Sequence, residues 1–336
     1  MSSNENQFSI ISLLQERVFT LTLTIILVCI GASIIYPDVF PTFNNFSQIL
    51  LNLSIDTIVA IGMMILLISG AFDLSVGSVV ALSGGITAWI MYSYEIPMVM
   101  AMLAGLAVAG LVGWINGIFI ARVGINPMIQ TLAMMGIIRG FALMISGPSI
   151  QNLPENFNTL GQTRIIGVQS PVWIMLVLVA IFSVLVSRTI FFRRYYYIGG
   201  NEKAALLSGI RVGRMKIWAF TLTALLAGFA GIVLASRMGA ALGTTGRGME
   251  LRVITAVILG GASLLGGQGK IIGALLGALF MGLISNIMII ARVSGYWQEI
   301  VLGLILILAV SLDIWIKKKT TGIKPKQYLN KALQSS

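Results

Sequence analysis

Between residues 18 and 316 the chain is a succession of apolar stretches, most of them close to twenty residues long, joined by short polar connections. A helix needs about 20 mostly apolar residues to cross the hydrocarbon core of a bilayer. Ten such segments can be placed, at 18–36, 49–69, 75–92, 97–121, 126–146, 171–188, 216–236, 252–266, 270–291 and 296–316. The eighth is short and flanked by glycine, so it is a candidate for a re-entrant segment. In lipid every backbone N–H and C=O must find its partner within the protein, and helical spans satisfy this segment by segment. The expected fold is therefore all-α, a polytopic transmembrane helix bundle of about ten spans forming a single membrane domain. Composition agrees. Of the 336 residues 57% are hydrophobic and only 10% charged, where about a quarter is usual for a soluble domain.

The first span reads as retained. Its apolar stretch is long for a signal peptide, its leader lacks a basic cluster, and no small-x-small cleavage site follows it cleanly. The distribution of Lys and Arg then sets an orientation. With the N-terminus inside, ten spans return the C-terminus inside. The inside segments hold Arg17, Arg122, Arg188, Arg193, Arg194, Lys203, Arg211, Arg214, Lys216, Lys270 and the six lysines from Lys317 to Lys331. Arg139, Arg164, Arg237, Arg247, Arg252 and Arg292 lie elsewhere. Cytoplasmic loops carry the basic excess, so 1–17 and the basic tail 317–336 are expected in the cytoplasm. The longest inside loop is 188–216 and the longest outside loop 147–170. The net charge of +11 reads as membrane orientation, with no nucleic-acid partner implied.

Several chemistries are excluded by residue type. There is no histidine and one cysteine, Cys29, in an apolar run where it has only to pack. No internal disulfide, His/Cys metal cluster, Cys–His pair or Ser–His–Asp triad can form.

The apolar pattern is interrupted at SGAFDLSVGS, residues 69–78. Gly70 and Gly77 bracket a carboxylate, Asp73, with Ser75 beside it. Irregular backbone at membrane depth survives only inside protein or beside water. Asp73 can cap the following helix by accepting N–H bonds from Ser75 or Val76, or it can line a path through the membrane; the two roles are compatible. A second break, LGGASLLGGQGKIIGALLGAL from Leu259, contains Gly261, Gly266 and Gly269. Gly70-Ala71 matches Gly261-Ala262, and Gly77-Ser78-Val79-Val80 matches Gly269-Lys270-Ile271-Ile272 with one residue inserted. Both breaks are expected to approach the same side, as two interrupted hairpins of an internal repeat would. The string GGQGK is not a phosphate loop. Leu264 stands where the first glycine is required and Ile271 where Ser or Thr is required. Small-xxx-small spacings at Gly113–Gly117 and Gly273–Gly277 fit close helix packing.

The inside loop contains NEKAALLSGI. Asn201 is a good N-cap, Glu202 suits the first turn, Ala204, Ala205, Leu206 and Leu207 favour helix, and Gly209 follows Ser208 as a stop. The plain reading is an interfacial helix; the sharper one is a docking helix for another subunit.

Four stretches in order, GAFDLSVGS, NPMIQTLAMMGIIRG, IGGNEKAALLSGIRVGRMK and VITAVILGGASLLGGQGKIIGALLGAL, resemble the permease subunits of ribose-type ABC importers, the monosaccharide uptake class. The resemblance runs from about residue 15 to 318. It implies two permease copies, identical or related, forming the pore in a bacterial inner membrane. It also implies an ATPase subunit that binds ATP, docking on a coupling element at Asn201–Ile210, and a periplasmic binding protein that delivers sugar. The chain itself would hold no cofactor and catalyse no covalent reaction. Ala71-Phe72 departs from the Gly-Ile often found there.

A path for neutral polar solutes needs hydrogen-bonding groups more than charges. The candidates are Asp73, Ser75, Asn116, Asn126, Gln130 and Asn286. Asn116 could equally bond between helices, and Asn126-Pro127 could simply start the fifth span. Arg139, within that span, is expected to pair with a carboxylate or to snorkel. Arg237, Arg247, Glu250 and Arg252 flank an outside loop that is either solvated or meets the binding protein. Aromatic residues near span ends, such as Trp173 and Trp297, fit interfacial belts. The same resemblance leaves nucleosides, sugar-derived signalling molecules and, more distantly, branched amino acids as other solutes. A reading of another class is an ion-coupled secondary transporter, which the breaks would suit and the absence of histidine disfavours. A membrane-embedded enzyme has no residue constellation to support it.

Overall fold

The structure, a computed structural model, describes residues 17–321, with side chains over 18–314. The segment 1–16 and the lysines at 324, 326 and 331 lie outside the described residues. The chain is almost entirely helical. In order the elements are α1 (Arg17–Ile35), α2 (Phe43–Ile68), α3 (Val76–Tyr94), α4 (Met98–Ile118, continued by a π turn Phe119–Val123), α5 (Pro127–Ser146), α6 (Glu155–Gln162), a two-stranded hairpin β1–β2 (Arg164–Ile165, Val168–Gln169), α7 (Ser170–Arg188), α8 (Ile190–Gly200), α9 (Glu202–Leu207), α10 (Val212–Met238), α11 (Met249–Leu259), α12 (Ile271–Ile290) and α13 (Gly295–Thr321). Among the described residues nine helices are long and apolar enough to cross a membrane.

The eighth expected span, 252–266, is the one not among them; it corresponds to α11. Its eleven residues rise about 16 Å, half of a hydrocarbon core of about 30 Å. The helix is therefore too short to cross by itself. Gly260 ends it, and irregular backbone continues to Lys270. The loop 147–170, expected outside, also differs from a plain connection: it folds into α6 and the β hairpin. The loop 188–216, expected inside, carries an additional helix, α8, before the expected α9.

Helix α2 is the spindle, buried almost continuously from Leu53 to Ile68. Helix α10 packs along it and along α3 and α4. These contacts are made by glycine because lipid supplies no hydrophobic drive for helices to associate, and close backbone approach does the work. A Cβ at Gly62 would strike Thr223, at Gly84 the carbonyl of Gly231, and at Gly113 and Gly117 the backbone of Phe220, Thr221 and Ile217. The expected packing faces thus lie on α4 against α10. On α12, Gly273 and Gly277 face the carbonyls of Gly260 and Ala256. The rim is apolar and exposed, as at Leu27, Leu103, Met144 and Tyr296.

Candidate functional site

The first break begins with a Schellman turn. Gly70, at φ +82°, donates its N–H to Leu67 O (3.0 Å), and Ala71 N–H reaches Leu66 O (3.0 Å). The second break repeats it. Gly261, at φ +95°, donates to Ile258 O (2.9 Å), and Ala262 N–H reaches Val257 O (3.1 Å). The left-handed glycine is what such a cap requires. The Gly-Ala match between the two breaks is therefore a match in conformation. The second half of the match is not. Gly77 lies inside α3, the residue after its start, whereas Gly269 precedes α12 by two residues. Gly77 is needed for another reason: it meets the backbone of Gly246, and a Cβ on either would overlap the other.

Both breaks come to one end of the bundle and touch. Gly267 N–H donates to Ile68 O at 2.8 Å. Wedged on this junction is Gly199, in the last turn of α8. Its missing side chain makes room for Ile68 O and Gly267 N, and Gly266 packs on it from the second break. Tyr196, one turn earlier, donates its hydroxyl to Gly269 O at 2.7 Å. Tyr195 donates to Met215 O at 3.2 Å. Burial pushes both phenols above their ordinary range, which keeps these protons in place.

Helix α9 follows α8 directly. Asn201 Oδ1 caps it by accepting from Ala204 N (3.0 Å). Lys216 Nζ bonds both carboxylate oxygens of Glu202 at 2.8 Å, tying α9 to the start of α10. Gly209 ends the turn at φ +81°. Ala205 is turned into the protein at 4% exposure, while Leu206 and Leu207 stand out at 61% and 90%. A groove of about 390 Å³ runs beside α9, lined by Tyr196, Tyr197, Asn201, Ala204 and Ser208 among others.

Four of the six polar candidates form one buried chain of bonds. Asp73 Oδ1 accepts from Ser75 N (2.7 Å) and Ser75 Oγ (2.6 Å). Asn116 Nδ2 donates to Ser75 Oγ (3.2 Å), and Gln130 Nε2 donates to Asn116 Oδ1 (3.2 Å). The chain ties the first break to α4 and α5. Asp73 makes its turn just ahead of the helix, two residues before Ser75, which holds the N-cap position. Asn126 stands apart and caps α5 through Met128 N at 2.9 Å, with Pro127 at the first helical position.

Asn286 belongs to a different place. It exchanges two side-chain bonds with Asn45 (2.8 and 3.2 Å) and lines a cavity of about 300 Å³ between α2, α11 and α12. That volume is at the lower end for small-molecule sites, about 300–1,000 Å³. The same cavity holds an ion pair, Arg252 Nε to Asp56 Oδ2 at 3.1 Å, and Arg237, whose Nη2 donates to Asn52 Oδ1 at 2.9 Å. So Arg237 and Arg252 turn inward, and the loop between them folds into the bundle with Gly246 on Gly77. Thr244, Arg247 and Gly248 of the same loop stay exposed. Arg139 holds that loop from α5 by donating to Gly243 O and Thr245 O, each at 2.7 Å. Its partners are backbone carbonyls, not a carboxylate.

Sequence reasoning missed Asp56 and Asp313. Both were visible as carboxylates inside apolar spans, a combination that marks function or a specific partner. Asp313 of α13 reaches Ser263 in the second break (3.4 Å), so a buried carboxylate attends each break. Gly199 and Tyr196 carried no signal, since their importance rests on what the fold brings against them.

The family model described as "Branched-chain amino acid transport system / permease component" matches residues 45–310. Similar proteins include an L-arabinose ABC transporter permease of Azospirillum brasilense, 39% identical over 87% of this chain and 86% of its own length. The ribose import permease of Escherichia coli K12 is 39% identical over 84% and 88%. The L-arabinose transport system permease of the same strain is 41% identical over 86% and 88%. No solved structure matches. With its buried spindle, its paired breaks and a match of this extent, the chain belongs to the family of binding-protein-dependent ABC importer permeases, in the ribose-type monosaccharide class.

Proposed function

We propose that the chain is the membrane subunit of a monosaccharide importer, with pentoses the first solutes to test. Its similar proteins carry the names of ribose and L-arabinose permeases. The observation that carries the mechanism is the seat of Gly199 against both helix breaks, directly before α9. A rigid push on α9 reaches Gly70 and Gly266 through one close-packed contact, and tight packing transmits displacement instead of absorbing it. ATP bound by a partner ATPase supplies that push at Leu206 and Leu207. The breaks then tilt, and access to the path alternates between the two faces.

The α8–α9 end is the cytoplasmic end, with both termini on that side, in the cell inner membrane of a bacterium. This follows the concentration of Arg and Lys there. A periplasmic binding protein delivers the sugar to the opposite face, and a second permease copy completes the pore. Asn286, with Asp56 and Arg252, offers polar contacts in the cavity on the side away from the breaks. The chain of bonds from Asp73 to Gln130 holds the first break in shape. The test is a pull-down of the tagged chain from mild detergent with mass spectrometry of its companions, followed by pentose uptake with the ATPase present or deleted. Recovery of an ATPase and loss of uptake on its deletion are expected. Uptake that persists without it and follows an ion gradient would overturn the reading.

A further inference from the structure

Where α7 and α10 leave the apolar zone, a cavity of about 660 Å³ opens between the start of α8 and the start of α10. Its walls are of two kinds. On one side stand Arg193, Arg194, Arg211 and Arg214; on the other stand Phe191 and Trp218. No Asp or Glu lines it. The four arginines are exposed. Arg193 spends its guanidinium on Ser187 O (3.2 and 3.4 Å). The guanidinium groups of Arg194, Arg211 and Arg214 make no hydrogen bond or ion pair among the described residues. The apolar wall is exposed as well, Trp218 to 60% and Phe191 to 40%.

Neither wall is explained by the chain alone. Three guanidinium groups without a protein partner, with Arg193 beside them, make one concavity strongly positive, and Arg is the residue suited to bidentate phosphate contact. Water would satisfy the arginines but leave the aromatic wall uncovered. Trp218 lies in the second turn of the span α10, at the depth where indole rings meet the headgroup layer. Basic pockets between spans on the cytoplasmic side are places where anionic headgroups bind.

We propose that this cavity holds the headgroup of an anionic phospholipid. The phosphate sits among Arg194, Arg211 and Arg214, and the glycerol and upper acyl chain lie against Trp218 and Phe191. Since Ser208, Gly209 and Ile210 line the same cavity, the lipid would brace the end of α9. The inference stands on the membrane placement of the spans and does not need the sugar reading.

The test uses the full chain in nanodiscs of equal phosphatidylglycerol and phosphatidylcholine, released in a native mass spectrometer. Wild type is expected to retain phosphatidylglycerol preferentially. The triple variant Arg194→Gln/Arg211→Gln/Arg214→Gln should lose that preference by on the order of tenfold, while the charge control Arg122→Gln/Lys203→Gln keeps it. Trp218→Ala keeps every charge and should still weaken retention, which covers a triple variant that fails to fold. A photoactivatable phosphatidylglycerol should label peptides within 188–218. Equal retention of the two lipids by wild type, unchanged retention in the triple variant, or displacement of the lipid by millimolar inorganic phosphate would each overturn the proposal. The last outcome would mean a free-phosphate site; the first would leave the arginines to an acidic protein surface.

Discussion

At the residue scale the two polar groupings ask for different substitutions. Ser75 is the hinge of the buried chain: its hydroxyl donates to Asp73 and accepts from Asn116. Ser75→Ala leaves Asn116 Nδ2 without its acceptor, at about 1–3 kcal/mol for a buried group left unsatisfied, while Asp73 Oδ1 keeps the Ser75 N–H. Asp73→Asn keeps the accepting Oδ1, while Asp73→Leu removes it. Melting in detergent should therefore rank wild type and Asp73→Asn together, above Ser75→Ala and Asp73→Leu. An Asp73→Asn variant as unstable as Asp73→Leu would show that the charge, not the turn, matters. The Asp56–Arg252 pair is half-open to its cavity, with side chains 26% and 33% exposed. Breaking it with Asp56→Ala or Arg252→Ala should cost about 1–3 kcal/mol, less than for a fully buried pair. A double-mutant cycle isolates the pairwise part. If the pair also contacts solute, Asp56→Asn should raise the KM for pentose uptake with assembly intact. An unchanged KM would assign it to packing α11 on α2.

At the element scale the breaks, α8 and α9 act as a unit, and two substitutions separate its ends. Leu207 is exposed and Ala205 is not, so Leu207→Glu should abolish uptake and ATPase recovery while the chain still reaches the membrane. Ala205→Glu places a charge inside the protein and is expected to reduce accumulation instead. Gly199→Ala probes the other end. Its Cβ has no room against Ile68 and Gly267, at a cost of about 1–3 kcal/mol for overpacking. The accumulated protein should bind the ATPase yet couple hydrolysis to uptake poorly, which reconstituted vesicles would measure. Normal coupling would remove Gly199 from the route. Much of this unit was legible: the N-cap Asn201, the stop at Gly209 and the Gly-Ala turn of each break are local signals, readable because capping is written in a few adjacent residues. What was not legible is long-range. Nothing near Gly199 tells that Gly70 and Gly266 close on it, and nothing in GTTGRGMELR tells that Arg252 turns inward to Asp56 while Arg247 stays exposed.

At the scale of the whole molecule, span count and span order follow from hydropathy, because the bilayer thickness dictates helix length. The half-span α11 was the ambiguous case, since its apolar run is broken by Gly260 and Gly261 before it is long enough to cross. Orientation rests on charge alone and can be tested directly. The chain has a single cysteine, Cys29, so a Cys29→Ser background allows one reporter at a time. Lys203, on α9, and Arg164, in the β hairpin, are both exposed. They lie on opposite ends of the bundle, since α7 runs between the hairpin and α8. In intact cells a membrane-impermeant maleimide should label Arg164→Cys and spare Lys203→Cys until the membrane is opened. The reverse pattern would place α9 outside, beyond the reach of any cytoplasmic ATPase. It would then move the cavity at Asp56 and Arg252 to the inner face. Because ten membrane-entering segments are linked head to tail by tight connections, no single helix can be inverted to accommodate a mixed result. One pair of labels therefore fixes the direction of the whole bundle.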